Sequence, residues 1–467
     1  RIDGMKTTLV KDFFNKYSDI IDSRDSIDIN LLKEMLVSDD FSFISLSGGD
    51  VYHHRRELTD GRLVFLANSS LEEAGTGTIL ISGCDALEMN TLTGKVTDYW
   101  ETDNRGKIMV DFDLPPAGSL LLFISDRKMS GYDPPEETGS LISVPSVPVI
   151  SVRRDKPNVL TLDFCDLILG DETFRDLHTY DATDKVFKYH GFVNGNPWNT
   201  SVQFKTETVD RDTFGLNTGF TSVWHFNTEG EPDLSDARVV IERPWLWKVM
   251  INGSEVTAED GKWWLDKDFG VYQCGSYVRN GENIITVSSK PMSIYAEIEP
   301  VYILGDFTLK STARGWIITP PPSGYRTGSW KEQGMPFYPD RVSYTKEFEV
   351  TGEYDKYLLK LGKWNGTIAE VNVNGDPVGV IAYPPYSLDI SGNIRPGRNK
   401  VEVKIVGSNK NLLGPFHSKT RPGLAAPAYW RGVTGYPPGV EYNTIDYGLM
   451  DDFYLFASKQ IFQILQE

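Results

Sequence analysis

The side chains best suited to bind a ligand are those of the tryptophans. The sequence has 11 of them. A tryptophan ring offers a flat apolar face with one polar edge, so it can cover a sugar ring while neighbouring polar groups bind the hydroxyls. In a β-sandwich most tryptophans fill the core instead. Trp263 and Trp264 are adjacent, so on a strand one of the two rings must face outward, and that ring is a candidate for ligand binding.

Two loop segments add polar and aromatic candidates. Asn409, Asn411 and His417 surround a Gly-Pro pair in "GSNKNLLGPFHSK", and Tyr383 and Tyr386 flank Pro-Pro in "AYPPYSLDI". Such side chains on loops at the edge of a rigid sandwich commonly line a cleft, although ordinary structural loops are the alternative. The carbohydrate-binding candidates are Trp263, Trp264, Trp364, Tyr383, Tyr386, Asn409, Asn411 and His417.

The sequence contains no catalytic motif that we recognise. A nucleophile elbow, a Walker loop and a zinc-protease helix are all missing. A pair of carboxylates for glycoside hydrolysis cannot be assigned, because the two groups must meet in space about 5 to 10 Å apart. The cysteines, Cys84, Cys165 and Cys274, are far apart and odd in number, which favours buried free thiols. We therefore assign no catalytic residue and no metal ligand.

The charge of the chain excludes two classes of partner. With 47 basic and 65 acidic residues, the formal net charge is −18. Such a surface repels phosphate backbones and anionic lipid headgroups, so we expect neither nucleic acid nor membrane as a partner. No apolar run approaches the roughly 18 residues that a spanning helix needs.

The elements that must position these residues are of two kinds. Residues 1–40 have apolar side chains at helical spacing in "TTLVKDFFNKYSDII" and "INLLKEML", which predicts a helical connector from a missing upstream domain. From Phe41 onward, short β-rich runs alternate with Gly, Asn, Asp and Pro. This pattern predicts a mainly β chain of tandem antiparallel β-sandwich or jelly-roll domains. The predicted domains are a β-sandwich at 41–155 and sugar-binding-like jelly rolls at 156–300 and 301–467.

One hairpin pattern occurs twice. "ERPWLWKVMINGSEV" and "GKWNGTIAEVNVNGDPVGV" each carry a tryptophan, alternating apolar residues and Asn-Gly. Asn-Gly is typical of a type I′ turn, because both central residues need positive φ. Each hairpin is followed by a Gly-x-Asn turn, at 281–283 and at 397–399. The repeated order predicts two related β-sandwich modules.

Several longer segments resemble a known family. "VYHHRRELTDGRLVFLANSS" and "LPPAGSLLLFIS" resemble the β-domain that follows the catalytic barrel in large bacterial α-L-rhamnosidase-like proteins, in or near family 106 of the glycoside hydrolases. "GSWKEQGMPFYPDRVSYTKEFEV" and "NKNLLGPFH" resemble the galactose-binding-like jelly rolls at the C-terminal end of the same proteins. The resemblance covers the chain from about residue 40.

The resemblance implies an accessory role. In that family the catalytic glutamates, and the calcium that assists them, lie on the barrel, and this sequence shows no alternation of strands and helices. The chain is then a non-catalytic C-terminal part of a polysaccharide-degrading enzyme, inactive by itself. Its implied partners are an upstream catalytic domain and a rhamnose-containing glycan. The resemblance also implies a periplasmic or secreted bacterial protein; no cofactor is identified, and a structural calcium ion stays open.

Two other functions remain open. A free-standing carbohydrate-binding protein with tandem modules would bind oligosaccharides without a partner. A structural or assembly fragment would use its jelly rolls to bind other protein domains. A contiguous exposed apolar patch near residues 1–40 would favour this function or the accessory role over the free-standing binder.

Overall fold

The computed structural model describes residues 40–134, 140–200, 202–414, 417 and 435–459, together with residues 12, 15 and 16. Backbone contacts divide the chain into two compact units, 1–137 and 138–467. Nearly all of the predicted helical connector at 1–40 lies outside the described residues. None of the helices in the described ranges is long and apolar enough to span a membrane.

The first unit is an antiparallel β-sandwich. Its strands are β1 (Phe41–Ser47), β2 (Val51–Glu57), β3 (Gly61–Asn68), β4 (Gly75–Ser82), β5 (Asp85–Met89), β6 (Val96–Asp98), β7 (Glu101–Asp103), β8 (Lys107–Leu114) and β9 (Ser119–Ser125). They form two sheets, β1-β4-β8-β7 and β2-β3-β9-β5-β6. Alternate residues of β8, from Ile108 to Leu114, are buried, because successive strand side chains point to opposite faces.

The second unit begins with the strands of its first half. These are β10 (Ile142–Ser143), β11 (Ser151–Arg154), β12 (Asn158–Leu162), β13 (Phe164–Leu169), β14 (Glu172–His178), β15 (Phe220–Thr228), β16 (Arg238–Glu242), β17 (Lys248–Ile251), β18 (Ser254–Val256), β19 (Trp263–Trp264), β20 (Asp266–Gln273), β21 (Gly281–Ser289), β22 (Val301–Gly305), β23 (Thr308–Ser311) and β24 (Trp316–Thr319). Helix α1 (Thr179–Tyr189) follows β14.

The remaining strands complete the second unit. They are β25 (Arg341–Val350), β26 (Lys356–Leu361), β27 (Trp364–Asn365), β28 (Ile368–Val373), β29 (Asp376–Ile381), β30 (Ser387–Asp389), β31 (Gly397–Val406), β32 (Gly448–Leu449) and β33 (Phe453–Ser458). Helix α2 (Lys410–Leu413) follows β31. The 3₁₀ turns are Pro197–Asn199, Lys205–Glu207, Val209–Arg211, Pro244–Leu246, Lys331–Gln333, Ser391–Asn393 and Gly439–Glu441.

These strands build two sandwiches, which we call the groove sandwich and the closing sandwich. The groove sandwich pairs the sheet β12-β22-β16-β20-β19 with the sheet β14-β13-β15-β21-β17-β18, to which β24 and β23 are added. The closing sandwich pairs β11-β25-β31-β28-β29 with β10-β33-β26-β30. The prediction of a mainly β chain with tandem antiparallel sandwiches is confirmed.

Some strands cross the predicted domain boundaries. Strands β10 and β11 precede residue 155 but pair with β33 and β25. Strand β22 follows residue 300 but pairs with β12 and β16. Pro145 and Pro148 lie between β10 and β11, and both strands are at sheet edges. The division at 155 and 300 stays a prediction. In the structure, β10, β11 and β22 pair with strands on the other side of these boundaries.

Both repeated hairpins have the turn that the sequence predicts. Asn252 and Gly253 have φ values of 47° and 86°, and Asn374 and Gly375 have 55° and 98°. Positive φ at both central positions is the type I′ geometry. The first turn joins β17 to β18, and the second joins β28 to β29.

A buried asparagine supports the first of these turns. Asn283 is fully buried, and its Oδ1 accepts hydrogen bonds from Arg279 N and Asn252 Nδ2 at 2.9 and 2.8 Å. Its Nδ2 donates to the carbonyls of Arg279 and Gly281 at 2.8 and 2.9 Å. Asn252 Oδ1 in turn accepts from Ile284 N at 2.9 Å. One side chain thus joins the hairpin to the Gly-x-Asn turn.

The second copy repeats this network. Asn399 is fully buried, and its Oδ1 accepts from Arg395 N and Asn374 Nδ2 at 3.1 and 3.0 Å. Its Nδ2 donates to the carbonyls of Arg395 and Gly397 at 2.7 and 3.1 Å. Asn374 Oδ1 accepts from Lys400 N at 3.0 Å. The sequence repeat is therefore a structural repeat with the same polar interior.

The three cysteines are unpaired thiols. Cys165 and Cys274 are buried, as predicted, and burial raises the pKa of Cys274 to about 12. Cys84 is exposed, so the prediction of burial is wrong there. It follows directly after β4, in the turn that leads to β5, where the chain lies at the surface.

Candidate functional site

A groove opens along one edge of β15, between two different partner strands. On this edge β15 pairs with β13 as far as the contact of Val223 with Asp166. From Asn227 onward it pairs with β24, in parallel. Between Val223 and Asn227, neither β13 nor β24 pairs with this edge of β15. The groove has a volume of about 590 Å³, within the usual range for small-molecule sites.

Asp166 forms one wall of the groove. Two residues of β14, Arg175 and Asp176, lie opposite Asp166 at a register shift, and Asp176 has a positive φ of 54°. This β-bulge brings both residues to the same carboxylate. Arg175 Nη1 donates to Asp166 Oδ2 at 2.9 Å, and Asp176 N donates to Oδ1 at 3.0 Å. Asp166 is buried and is held in one orientation.

A histidine connects this wall to the mouth of the groove. His225 Nε2 lies 3.3 Å from Asp166 Oδ2, and its Nδ1 lies 3.4 Å from Glu282 Oε1. Gly281, with φ of 90°, begins β21 and places Glu282, the second residue of the strand, at the rim. The Glu282 side chain is 64% exposed. Its carboxylate is therefore accessible to a ligand that enters the groove.

The opposite wall carries a guanidinium and aromatic rings. Arg314 is hydrogen bonded to Asp176 Oδ1, and its guanidinium lies 5.9 Å from the centre of the Tyr436 ring. Trp316 and Phe226 also line the groove. An arginine over an aromatic face is held by a cation–π contact. Phe226 and Trp316 are nevertheless buried, at 2% and 8% exposed, and Tyr436 also stacks on Phe164. The groove is therefore lined mainly by fixed polar and charged groups.

The charges of the lining are largely paired. Asp166, Asp176, Glu229 and Glu282 face Arg175 and Arg314, so the formal charge with neutral histidine is 2 − 4 = −2. Both arginines are bound to aspartates. The carboxylates offer acceptors for ligand hydroxyl groups, and the arginines are oriented as donors.

A second, smaller cavity lies on the same sandwich. Its volume is about 40 Å³, and Asp163, His178, Asn196, Glu297 and Glu299 are among its lining residues. Burial, with the charges of Glu297 and of Glu242 nearby, raises the pKa of Glu299 to about 8. The cavity has room for a single water or ion.

The predicted loop residues are placed mostly inside the protein. Asn411 is buried, donates to the carbonyls of Pro336 and Ile445 and accepts from Ile445 N. The His417 side chain is fully buried, at 2.7 Å from Asp163. Asn409 is exposed. The structure therefore gives Asn411 and His417 protein partners, and none of the three residues lines the groove.

The predicted aromatic candidates lie in two places. In the closing sandwich, Trp364 meets the edge of Tyr386 with ring centres 5.4 Å apart, and Tyr383 is 69% exposed. In the groove sandwich, Trp263 is 54% exposed, whereas Trp264 packs against the core. The expectation that one ring of the Trp pair faces outward is confirmed. None of these five residues lines the groove.

The groove residues were missed by sequence reasoning, because they come from separate strands and loops. One signal was nevertheless present. The Gly-x-Asn turns carry Glu282 in the first copy and Arg398 in the second. Aligning the two copies marks this position as the one that differs within a shared turn.

Comparisons with known proteins link parts of the chain to glycosidases. No protein-family model matches the chain. Over 92 residues the chain is 35% identical to a putative beta-glucuronidase of Formosa agariphila; the match covers 18% of this chain and 8% of that protein.

Two solved structures give a wider but more distant overlap. A rhamnosidase from Novosphingobium sp. PP1Y is 14% identical, with 91% of this chain and 26% of that chain covered and a TM-score of 0.41. A beta-glucuronidase from an uncultured Clostridium sp. is 12% identical, with 56% and 41% covered and a TM-score of 0.19. This chain thus spans about a quarter of the rhamnosidase, and the scores are too low to establish a common fold.

Proposed function

We propose that this chain is a non-catalytic, carbohydrate-binding part of a polysaccharide-degrading glycoside hydrolase, and that the groove beside β15 binds the glycan. We further propose that an upstream catalytic domain, α-L-rhamnosidase-like, is its partner and that the protein acts in the periplasm or outside the cell. The α-L-rhamnosidase assignment rests on the resemblance of sequence segments to that family.

The groove is the observation that carries this proposal. It places a carboxylate at the rim, a histidine and buried aspartate behind it, and an arginine over a tyrosine on the other side. Sugars present hydroxyl groups around apolar ring faces. The fixed acceptors and donors of the groove match the hydroxyl groups.

The accessory role is supported by what the chain resembles and matches. The curated match is named as a putative beta-glucuronidase and is far longer than the matched stretch. The described residues form β-sandwiches rather than a barrel. We propose that such sandwiches brace a catalytic barrel and extend its glycan cleft.

Calorimetric titration with rhamnose-containing oligosaccharides tests the proposal. Glu282→Gln keeps the size of the side chain but removes the accessible charge. We expect it to weaken binding about tenfold, the effect of losing one charge-assisted hydrogen bond. Arg398→Gln, at the matching position of the closing sandwich, is the control and should bind like the unchanged protein.

Three results would contradict the proposal. The unchanged chain could give no heat with any glycan, or the two variants could bind alike. Release of the chromophore from an aryl α-L-rhamnoside by the purified chain would contradict the non-catalytic role, provided that Glu282→Gln lost this activity.

A further inference from the structure

The smaller cavity adjoins a buried cluster that the proposed function does not use. Asp163 and His178 lie at the ends of the paired strands β13 and β14, and His417 is 254 positions after Asp163. A ligand atom from each lies within 4.8 Å of the others. Asp163 follows β12, His178 ends β14, and His417 follows α2. His417 Nε2 is 2.7 Å and His178 Nε2 is 3.8 Å from Asp163 Oδ2.

Among the described residues, no lysine or arginine is paired with the buried carboxylate of the cluster. The side chains of Asp163, His178 and His417 are 1%, 9% and 0% exposed. Within the described ranges, the ion pairs of Asp163 are with these two histidines and with no lysine or arginine. A buried carboxylate is costly unless its charge is compensated. Compensation requires either a protonated imidazole or a bound cation.

We propose that Asp163, His178 and His417 form a binding site for a divalent transition-metal ion, with zinc as the best match. Two imidazole nitrogens and one carboxylate oxygen are donors that zinc accepts readily. Calcium prefers oxygen ligands only, so this site differs in chemistry from the calcium ion that the sequence resemblance left open.

The surroundings provide the other parts of such a site. Tyr442 donates its hydroxyl hydrogen to Asp163 Oδ1 at 2.8 Å, which leaves Oδ2 directed to the histidines. Groups that orient a ligating carboxylate in this way commonly support metal sites. The adjoining cavity of about 40 Å³ has room for a water as fourth ligand.

Metal binding sets a condition on the two imidazole rings. Each must carry its proton on Nδ1 so that Nε2 offers a lone pair. Nδ1 of His417 has no hydrogen-bond partner among the described residues, so a proton there breaks no bond. Nδ1 of His178 accepts a hydrogen bond from Tyr180 N at 3.2 Å. A proton on this Nδ1 breaks that bond, so metal binding requires its loss. The competing arrangement is a hydrogen-bonded cluster with the protons on Nε2.

The experiment is a zinc titration of the chain after removal of metal with EDTA. We expect one equivalent of zinc to bind and to raise the melting temperature, because a ligand of the folded state stabilises it. Cobalt in the same site should give the visible absorption of a tetrahedral ion, and calcium should give neither effect. His417→Gln can still donate to Asp163 but replaces the imidazole, and should weaken zinc binding at least tenfold.

His54→Ala is the control, since His54 is an exposed histidine outside the cluster, and this variant should bind zinc unchanged. If His417→Gln does not fold, His178→Gln replaces it, and the cobalt spectrum of the unchanged chain decides independently. The proposal is overturned if zinc leaves the melting temperature unchanged and cobalt shows no tetrahedral absorption. It is equally overturned if zinc binds the His417 variant as tightly as the unchanged chain.

Discussion

The groove sandwich and the closing sandwich share a scaffold but carry opposite charges on it. In the groove sandwich His225 Nδ1 lies 3.4 Å from Glu282 Oε1. In the closing sandwich, at the matching places of the paired strands, Glu347 Oε2 lies 3.4 Å from Arg398 Nη1. The acidic residue of the pair therefore lies on β21 in the groove sandwich and on β25 in the closing sandwich. The buried asparagines are the same in both copies, whereas the surface pair differs. It is His225 with Glu282 in the groove sandwich and Glu347 with Arg398 in the closing sandwich.

The neighbours of the shared strands explain why only one of these pairs lines the groove. Strand β15 has β13 along one part of its edge and β24 along another, with an interval between them. Strand β25 is paired with β11 over Val342–Thr345, and Phe348 then bridges to Ser146. The repeated core therefore determines the fold, whereas the strands added at its edge create the groove.

Replacing the buried asparagines should have the largest effect. Asn283→Ala and Asn399→Ala each remove a side chain with four hydrogen bonds. Because the partners are left unpaired, we expect each variant to lose about 3 kcal/mol of unfolding free energy. Urea unfolding of both variants measures this. A loss confined to one copy would show that the networks are not equivalent.

A half-buried carboxyl, that of Glu299, should make the groove sandwich sensitive to pH. Burial and nearby carboxylates raise the pKa of Glu299 from 4.5 to about 8. Between these values the folded chain keeps a proton that the unfolded chain releases, so stability falls as the pH rises from about 4.5 to about 8. The Glu299→Gln variant should lack this pH-dependent loss of unfolding free energy. We expect the loss to be on the order of 2 kcal/mol, allowing for partial solvent screening.

Unfolding at about pH 5 and about pH 8 tests this expectation. In the closing sandwich, burial would raise the pKa of Glu402, but hydrogen bonding from Asn372 and the charge of Lys404 lower it. Glu402→Gln is therefore the matched control. Its unfolding free energy should fall between about pH 5 and about pH 8 as it does in the unchanged chain. An equal pH response of unchanged chain and Glu299→Gln would refute the role of Glu299.

Exchanging the charge at the rim should separate the two copies in binding. Glu282→Arg gives the groove sandwich the residue that Arg398 supplies in the closing sandwich. We expect more than about a tenfold loss of glycan affinity, since an acceptor is replaced by a donor beside His225. The reverse change, Arg398→Glu, should create no binding. Titration calorimetry that found a new site in Arg398→Glu would show that the rim residue alone is sufficient.

The smallest effect should come from the hairpin turns. Gly253 and Gly375 both have positive φ, and a Cβ at either position would meet no atom within 4 Å. Gly253→Ala and Gly375→Ala should thus cost only the backbone strain, about 1 kcal/mol each. Thermal unfolding measures both. Unequal losses would reveal a contact at one turn that the other lacks.

The sequence predicted features that depend on short-range chemistry. Asn-Gly required positive φ at both residues, and alternating apolar residues required strands, so the hairpins and the β class followed. The partner of each strand is a long-range choice that local patterns do not encode. For this reason the sequence does not indicate that β22, beyond residue 300, pairs with β12 and β16.

The candidate site was harder to predict for the same reason. Aromatic type and clustering in one loop are local features, whereas Asp166, His225 and Arg314 meet only after the sheet has formed. The sequence places His417 in a polar loop. Its partner, Asp163, is 254 positions away, and no local pattern marks a loop histidine for burial.

That distance has a consequence for synthesis of the chain. The core of the groove sandwich includes Leu412 and Tyr442, which follow almost the whole closing sandwich in sequence. A ribosome therefore finishes the strands of the groove sandwich long before it supplies the side chains that close their core. Contacts between distant residues form late. Until Leu412 and Tyr442 have been synthesised, the part of the core that they cover stays exposed to solvent. A stop codon after residue 406 would remove both of these side chains from the core.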